Sequence, residues 1–399
     1  MVKMDWIFVV YVILLAFLIW KASKKGSLSV LNPLVTLYFV FAPSCIYPLV
    51  TYEYSLPSNI VNVTHITCAV NIAFLLLYRK QFLQPISVKP DYSLMKYSGN
   101  RKVILCFFLG VIICSGLYTG VTQMMLTGSD VEDYRMTSDI GMGFVKAIPS
   151  LGIPYLVMEY FILNRRMSFI KAGIIGLSIG FILFLATAAR GGMLTYAMCF
   201  FIWVNLRYRG FRWYEYFGIF YLLKPVIATV LKAIRSASIL DLVDLQLFDH
   251  EKVIFGANTV RLAEYMNRTH DYLWGESYFY SIVRLIPRFL WPDKPVAIDY
   301  KYKEMVGLEF DGGGIYTSND FDLFLNFGYY YVIVYVLWLF LVHWMYQKLI
   351  NANTKFANKM LLLLLLSSGF GIGGLIENIQ IYFLFLLIFV LVNKKWRII

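Results

Sequence analysis

Apolar runs of about bilayer length recur along the whole chain, and they constrain its fold more than any other feature. About twenty apolar residues cross the hydrocarbon core of a membrane as a helix. Backbone groups in lipid find partners only in helices or closed barrels. The runs fall at residues 5–20, 30–50, 60–78, 103–124, 146–163, 169–189, 193–206, 214–231, 322–346, 360–376 and 379–392. They predict an all-α polytopic membrane protein of about eleven transmembrane helices. The last two runs are short enough for a hairpin or a re-entrant pair. A composition that is 59% hydrophobic and only 15% charged fits one integral membrane domain over residues 1–399. The first run lacks a small-residue cleavage site and is followed by Lys21, Lys24 and Lys25, so a retained span is expected rather than a signal peptide.

The connections between runs sort by charge. One set carries Lys21/Lys24/Lys25, Arg79/Lys80/Lys89/Lys96/Arg101/Lys102, Arg165/Arg166/Lys171, Arg207/Arg209/Arg212, Lys348/Lys355/Lys359 and Lys394/Lys395/Arg397, with Asp91 and Glu215 as its few acids. Cations of this kind mark the cytoplasmic side. The net charge of +12 is therefore a topology signal, and no nucleic-acid partner is expected. Alternation then places the N-terminus outside and the C-terminus inside.

One connection is long. Residues 232–321 hold ten Lys/Arg against thirteen Asp/Glu, so the segment is charged without being a basic tail. A structureless connection of that length is uncommon. Within it, "EKVIFGANTVRLAEYMNR" (251–268) predicts a helix with Val253, Ala257, Val260 and Glu264 on one side and Arg261 and Arg268 sharing another. "ESYFYSIVRLIPRFLW" (276–291) predicts a second helix that sets Arg284 above Arg288, with Pro287 distorting it or starting a new one. Both segments are amphipathic enough to lie on the outer membrane surface.

Several outward-facing features carry candidate chemistry. Arg190, in "AARGGML" (188–194), falls at the tip of a tight external hairpin. It either snorkels at a helix turn or lines a polar site. Arg135, Arg261, Arg284 and Arg288 are also on the outer side. Each either pairs with the loop's own carboxylates or offers a planar fork to a diphosphate. In "RFLWPDKP" (288–295) two prolines hold Trp291, Asp293 and Lys294 in a fixed presentation, whether as a turn with an interfacial anchor or as a binding element. "DGGGIYTSNDFDLFLNFGYYYVI" (311–333) is a glycine loop leading into a helix that Thr317, Ser318 or Asn319 caps, with Asp320 and Asp322 in its first turn. Lys224 and Glu159 lie within apolar runs and are expected to face the bundle interior.

Five cysteines (Cys45, Cys68, Cys106, Cys114, Cys199) and four histidines (His65, His250, His270, His343) are scattered without ligand spacing, so neither a metal nor another cofactor is expected.

The "TAARGGML" hairpin, the loop ending in "IPRFLWPDKP" and the following "GGGIYTSNDFDLFLNFGYY" together resemble the Wzy-type O-antigen or oligosaccharide repeat-unit polymerases of Gram-negative bacteria. "PRFLWPDKP" and "LNFG" are the most specific elements. One departure is that Arg135, Arg261 and Arg268 lack the glycine that some members carry eleven residues later. The resemblance implies a GT-C-like inner-membrane glycosyltransferase that joins undecaprenyl-diphosphate-linked oligosaccharides at the periplasmic face, beside a separate chain-length regulator. It implies transfer of the growing chain to the non-reducing end of an incoming repeat, without a metal. Arg190, Arg284 and Arg288 would then hold the diphosphate. Fixed cations stabilise such a leaving group as charge develops. A general base would help the attacking hydroxyl, from Asp133, His250, His270, Asp293 or Asp320. Arg135, Arg261, Lys294, Trp291, Tyr316 and Lys224 are the expected substrate-binding residues, with tyrosines and tryptophans of the loop (Tyr272, Trp274, Tyr278, Tyr280, Tyr300, Tyr302) stacking on sugars or forming an interfacial belt. The alternatives are an O-antigen ligase, which His250 and His270 keep open, and a flippase of lipid-linked sugars, which would predict internal repeats.

Overall fold

The computed structural model describes residues 6–28, 32–37, 57–84, 105–111, 113–114, 153, 156–157, 160, 167–187, 200–201, 203–204, 212–217, 250–283, 286, 290–295, 298–308, 315, 317–350, 375–376 and 379–380. Every regular element named among them is helical: α1 (Trp6–Lys24), α2 (Pro33–Thr36), α3 (Ser58–Phe82), α4 (Phe169–Thr187), α5 (Trp213–Phe217), α6 (His250–Thr269), α7 (Glu276–Val283), α8 (Ile298–Met305), α9 (Asn319–Phe327) and α10 (Tyr331–Ile350). A 3-10 turn, Gly328–Tyr330, joins α9 to α10. Among the described residues, α1, α3 and the continuous Asn319–Ile350 stretch are long and apolar enough to cross a membrane, and Phe169–Ile182 is a shorter apolar helix. The chain is a helical, membrane-embedded protein.

α1 and α3 run past the ends of their apolar runs, to Lys24 and Phe82. Their last turns hold Lys21 and Lys24, and Arg79 and Lys80. Cations there complement the exposed carbonyl end of a helix, and their long stems still cover apolar surface. Lys24 lies 3.9 Å from the ring of Trp20.

α3 and α10 pack side by side and parallel. Tyr331 donates to the Val63 carbonyl at 3.0 Å and shares a bond with Thr67 at 3.1 Å. Four residues along, Tyr335 donates to Asn71 Oδ1 at 2.7 Å. Further on, the His343 ring packs tilted against Tyr78, centroids 3.9 Å apart. Interhelical hydrogen bonds of this kind contribute roughly 0.6–2 kcal/mol each in a membrane, and together they fix the register. The buried side of α10 includes Tyr331, Tyr335, Trp338, Val342 and Tyr346, while Ile333, Leu337, Phe340, Leu341 and Trp344 are exposed. That exposed stripe is what lipid covers.

The C-terminal ends of the three long helices meet at Asn32, which is fully buried. Its amide donates to the carbonyls of Ser27 (3.3 Å) and Phe82 (2.9 Å) and to the Tyr346 hydroxyl (3.3 Å). Its oxygen accepts from Leu34 N at 3.0 Å and caps α2. The basic ends of α1, α3 and α10 therefore gather at one end, the relative orientation that charge alternation demands of the first, third and ninth runs.

At the opposite end, part of the large connecting segment lies over the start of α3. Asn59 Nδ2 donates to the Ala263 carbonyl of α6 at 2.9 Å. α6 buries Val260, Leu262, Ala263 and Met266, so its apolar face packs on protein instead of lying on lipid. Arg261 and Arg268 are both exposed, as their spacing of seven predicts. Glu264 is exposed beside them, not on the Val260 face, because positions 261, 264 and 268 fall on one side of a 3.6-residue helix.

The second loop helix is shorter than its apolar pattern predicts. α7 ends at Val283, Ile286 is in a bend, and Leu290, Pro292 and Asp293 are in turns. Pro287 accounts for this, because proline pushes the residue before it out of the helical region. Arg284 and Arg288 lie outside the described residues, so their predicted pairing does too. α8 was not anticipated from the sequence.

Candidate functional site

The "LNFG" segment (325–328) forms a clamp, and each of its four residues has a part. Leu325 and Asn326 present their carbonyls to Leu273 N (3.0 Å) and Trp274 N (2.8 Å). Asn326 Nδ2 donates back to the Asp322 carbonyl at 2.8 Å. Phe327 stacks on Tyr278, rings 5.8 Å apart and 9° from parallel. Gly328 has φ 54° and ψ −144°, a conformation essentially confined to glycine. A Cβ there would lie 3.0 Å from the Tyr272 ring.

Beside the clamp, one carboxylate joins three separate segments. Asp322 of α9 accepts from the Tyr278 hydroxyl of α7 at 2.8 Å and from the Tyr302 hydroxyl of α8. α7 and α8 are tied again by Lys301 and Glu276, 3.1 Å apart. Thr259 of α6 shares a 2.9 Å hydrogen bond with Thr317, just ahead of α9. Burial, and then the adjacent Asp322 charge, hold the Tyr278 and Tyr302 phenols well above the ordinary tyrosine range. Both remain protonated donors. Sequence reading placed Asp322 in the first turn of the helix, which holds, but missed its two phenol partners. They lie 44 and 20 residues away, and no local pattern announces such a meeting.

Asp320 also lies in the first turn of α9 and is 3% exposed. Burial withdraws its carboxyl from solvent. Asp322, bonded to its two phenols, is an acid occupied by the fold. The base candidates that the described residues leave accessible are His270 and Asp293, both exposed.

"WPDKP" is a turn, with Lys294 N bonded to the Trp291 carbonyl at 3.2 Å. Lys294 is buried, and its amine donates to the Ile286 carbonyl at 2.9 Å. That is the structural reading of the motif for Lys294. Trp291 packs edge-on to Phe279 at 6.4 Å, next to the Tyr278 that stacks on Phe327. The two motif segments thus converge through α7. Phe279 and Ile282, three apart on α7, form a short exposed apolar row, and Ile286 and Leu290 beyond it are exposed as well, which suits a segment at a membrane surface. Gln380 donates to the Ile282 carbonyl at 2.7 Å, bringing the start of the last apolar run to the same row.

Of the expected site residues, Arg261 is exposed on α6 with no ion pair among the described residues, and Arg268 bonds only back to the Glu264 carbonyl at 3.3 Å. Arg135, Arg190, Lys224, Arg284, Arg288 and Tyr316 lie outside the described residues, as do Asp133, Glu159 and Gly312 to Gly314. The structure brings Trp291 to Phe279 of α7 and Lys294 to the Ile286 carbonyl just beyond it, and leaves Asp293 exposed. Comparison with protein-family models, curated proteins and solved structures finds no match to this chain.

Proposed function

We propose that this chain is a polysaccharide polymerase: a GT-C-like membrane glycosyltransferase of about eleven spans that joins undecaprenyl-diphosphate-linked repeats outside the bacterial inner membrane. One observation carries the reading. The two segments that resemble the polymerases, "WPDKP" and "LNFG", converge through α7 at the end of the membrane helices opposite their basic ends. Exposed Arg261, Arg268, His270 and Asp293 belong to the same connecting segment. Guanidiniums stabilise a departing diphosphate, and an accessible imidazole or carboxylate takes the proton of the attacking hydroxyl. In this reading Arg190, Arg284 and Arg288 hold the diphosphate, and a separate protein regulates chain length.

The test is complementation in a host that lacks its own matching repeat-unit polymerase. Wild type should restore a surface-polysaccharide ladder on a gel. Arg190→Ala, Arg284→Ala and Arg288→Ala, at equal membrane abundance, should leave a single-repeat product. A wild type that gives no ladder with its native substrate sinks the reading. A ladder from all three variants removes only the arginine assignment.

A ligase that moves finished polymer to a lipid acceptor is the second reading. It is kept open by His250, the first residue of α6, and by His270, exposed just after that helix ends. Polymer transfer that survives polymerase deletion and stops with His270→Ala would support it.

A further inference from the structure

Directly after His270 the chain does something unusual for bulky residues. His270 and Trp274 both have positive φ, 54° and 48°, and Gly275 follows at 89°. Tryptophan rarely adopts this backbone, and strained positions persist only where their surroundings over-determine them. Here the surroundings are the clamp, which bonds Leu273 N and Trp274 N to the Leu325 and Asn326 carbonyls. The backbone is fixed, yet the indole it carries is 70% exposed. The fold holds Trp274 outward without burying it.

Two tyrosines extend the same surface. Tyr272 meets Trp274 edge-on at 6.1 Å and Phe324 edge-on at 5.9 Å, and it is wedged over Gly328. Tyr329 packs on Phe324 at 5.3 Å, and its hydroxyl accepts from Asn62 Nδ2 at 3.3 Å. The rim is polar, with Asn62, His270 and Asp271 exposed.

We propose that Trp274, flanked by Tyr272 and Tyr329, is a saccharide subsite that takes a sugar ring of the lipid-linked oligosaccharide. The proposal rests on the polymerase reading and deepens it. A sugar ring has a face of C–H groups that packs on an indole and an edge of hydroxyls that needs donors and acceptors. Rigid aromatics with one apolar face and a polar edge supply both. Fixing the ring beforehand removes an ordering penalty from binding. Asp271 beside the cluster disfavours a phosphate, and the exposed residues leading to it, Asn267 to Asp271, are polar. The lipid-facing stripe of α10, Ile333–Leu337–Phe340, begins one turn beyond Tyr329, and the Phe279–Ile282 row is on α7.

The experiment uses the full chain in nanodiscs, labelled with fluorotryptophan, with the Trp274 resonance assigned by its loss in Trp274→Tyr. Phosphate-free oligosaccharide released by mild acid from the host's lipid-linked pool should shift that resonance saturably, and inorganic diphosphate should not. A resonance unmoved by the oligosaccharide overturns the proposal. So does one broadened by a headgroup-depth paramagnetic lipid whether or not sugar is present, which marks an interfacial anchor. In the ladder assay, Trp274→Asn removes the ring while keeping a residue at ease with a left-handed backbone. It should shorten the ladder and raise the acceptor concentration for half-maximal rate about tenfold, about 1.4 kcal/mol, with Trp274→Tyr retaining most function. A normal ladder from Trp274→Asn overturns the subsite while the polymerase reading stands. Saturable oligosaccharide binding with no wild-type ladder overturns the polymerase reading and supports the subsite.

Discussion

The two ends of the helical unit solve one problem with opposite chemistry. Each joins segments far apart in sequence through one polar side chain, fully buried at one end and half-buried at the other. At the basic end the side chain is Asn32, a neutral amide bonded to the Ser27 and Phe82 carbonyls and the Tyr346 hydroxyl. At the other end it is Asp322, a carboxylate whose side-chain partners are two phenols. A neutral amide is inexpensive to bury once bonded, and its loss leaves neutral groups behind. A carboxylate away from water needs its donors much more, because the desolvation penalty of a charge is several times larger. The loop end is therefore the more conditional joint. It is also where α6, α7 and α8 attach.

The largest effect should separate the two ends. Asp322→Ala strands the buried Tyr302 and half-buried Tyr278 phenol donors and unties α7 and α8 from α9, a destabilisation of about 3–5 kcal/mol. Hydrogen exchange should show protection falling across residues 250–308 while residues 22–37 keep theirs. Asp322→Asn, which still accepts one phenol bond, should fall between wild type and alanine. Uniform loss along the chain would break the contrast. Next in size, Gly328→Ala forces a Cβ to 3.0 Å from the Tyr272 ring at a φ of 54°. A destabilisation of roughly 2–4 kcal/mol is expected, again confined to the loop side. Protection unchanged at residues 270–283 would show that Tyr272 moves away freely.

The converse test is at the basic end. Asn32→Leu removes the α2 cap and three amide bonds, with an expected loss of about 2–3 kcal/mol. Exchange should rise at residues 22–37 and 82–84 and stay unchanged over α6 to α8. Spread of the effect into the loop would mean that the joints are coupled through α3 and α10.

The unequal legibility of these joints has a physical cause. The helices with membrane length were readable because about twenty apolar residues have one stable form in lipid, and the basic clusters marked which ends belong together. The face of α6 was half readable: spacing put Arg261 and Arg268 together but misassigned Glu264. The end of α7 was foreshadowed by Pro287, yet the apolar pattern continued past it. Asn32 and the Tyr278–Asp322–Tyr302 joint left no trace in periodicity, since their partners are 50 and 314 residues away from Asn32 and 44 and 20 from Asp322. Long-range polar pairing depends on the tertiary fold. What the sequence did offer was "LNFG", a short motif whose meaning appeared only when its carbonyls, ring and glycine met the loop.

The smallest effect probes the carboxylate itself. Tyr278→Phe or Tyr302→Phe removes one of its two donors, at about 1–2 kcal/mol. Tyr346→Phe at the basic end should fall within the same range, so the three phenylalanine variants alone do not distinguish the joints. Alkaline titration does. The Tyr278 and Tyr302 phenols have folded pKa values raised above 10, burial being the larger cause and the Asp322 charge the next. A raised pKa means that the folded state keeps protons that the unfolded state releases. Their contribution is therefore complete below about pH 10 and is lost as pH rises from there through the folded values. Loop docking followed by exchange-independent proteolysis should be flat between about pH 7 and 9 and fail above about pH 10. Tyrosinate absorbance should rise further as docking fails, when the two phenols ionise. In Tyr278→Phe/Tyr302→Phe that coupled rise should vanish, because no protonated phenol remains at the joint to be released. If it persists, the alkaline transition belongs to other tyrosines, and the carboxylate joint is no more conditional than the amide one.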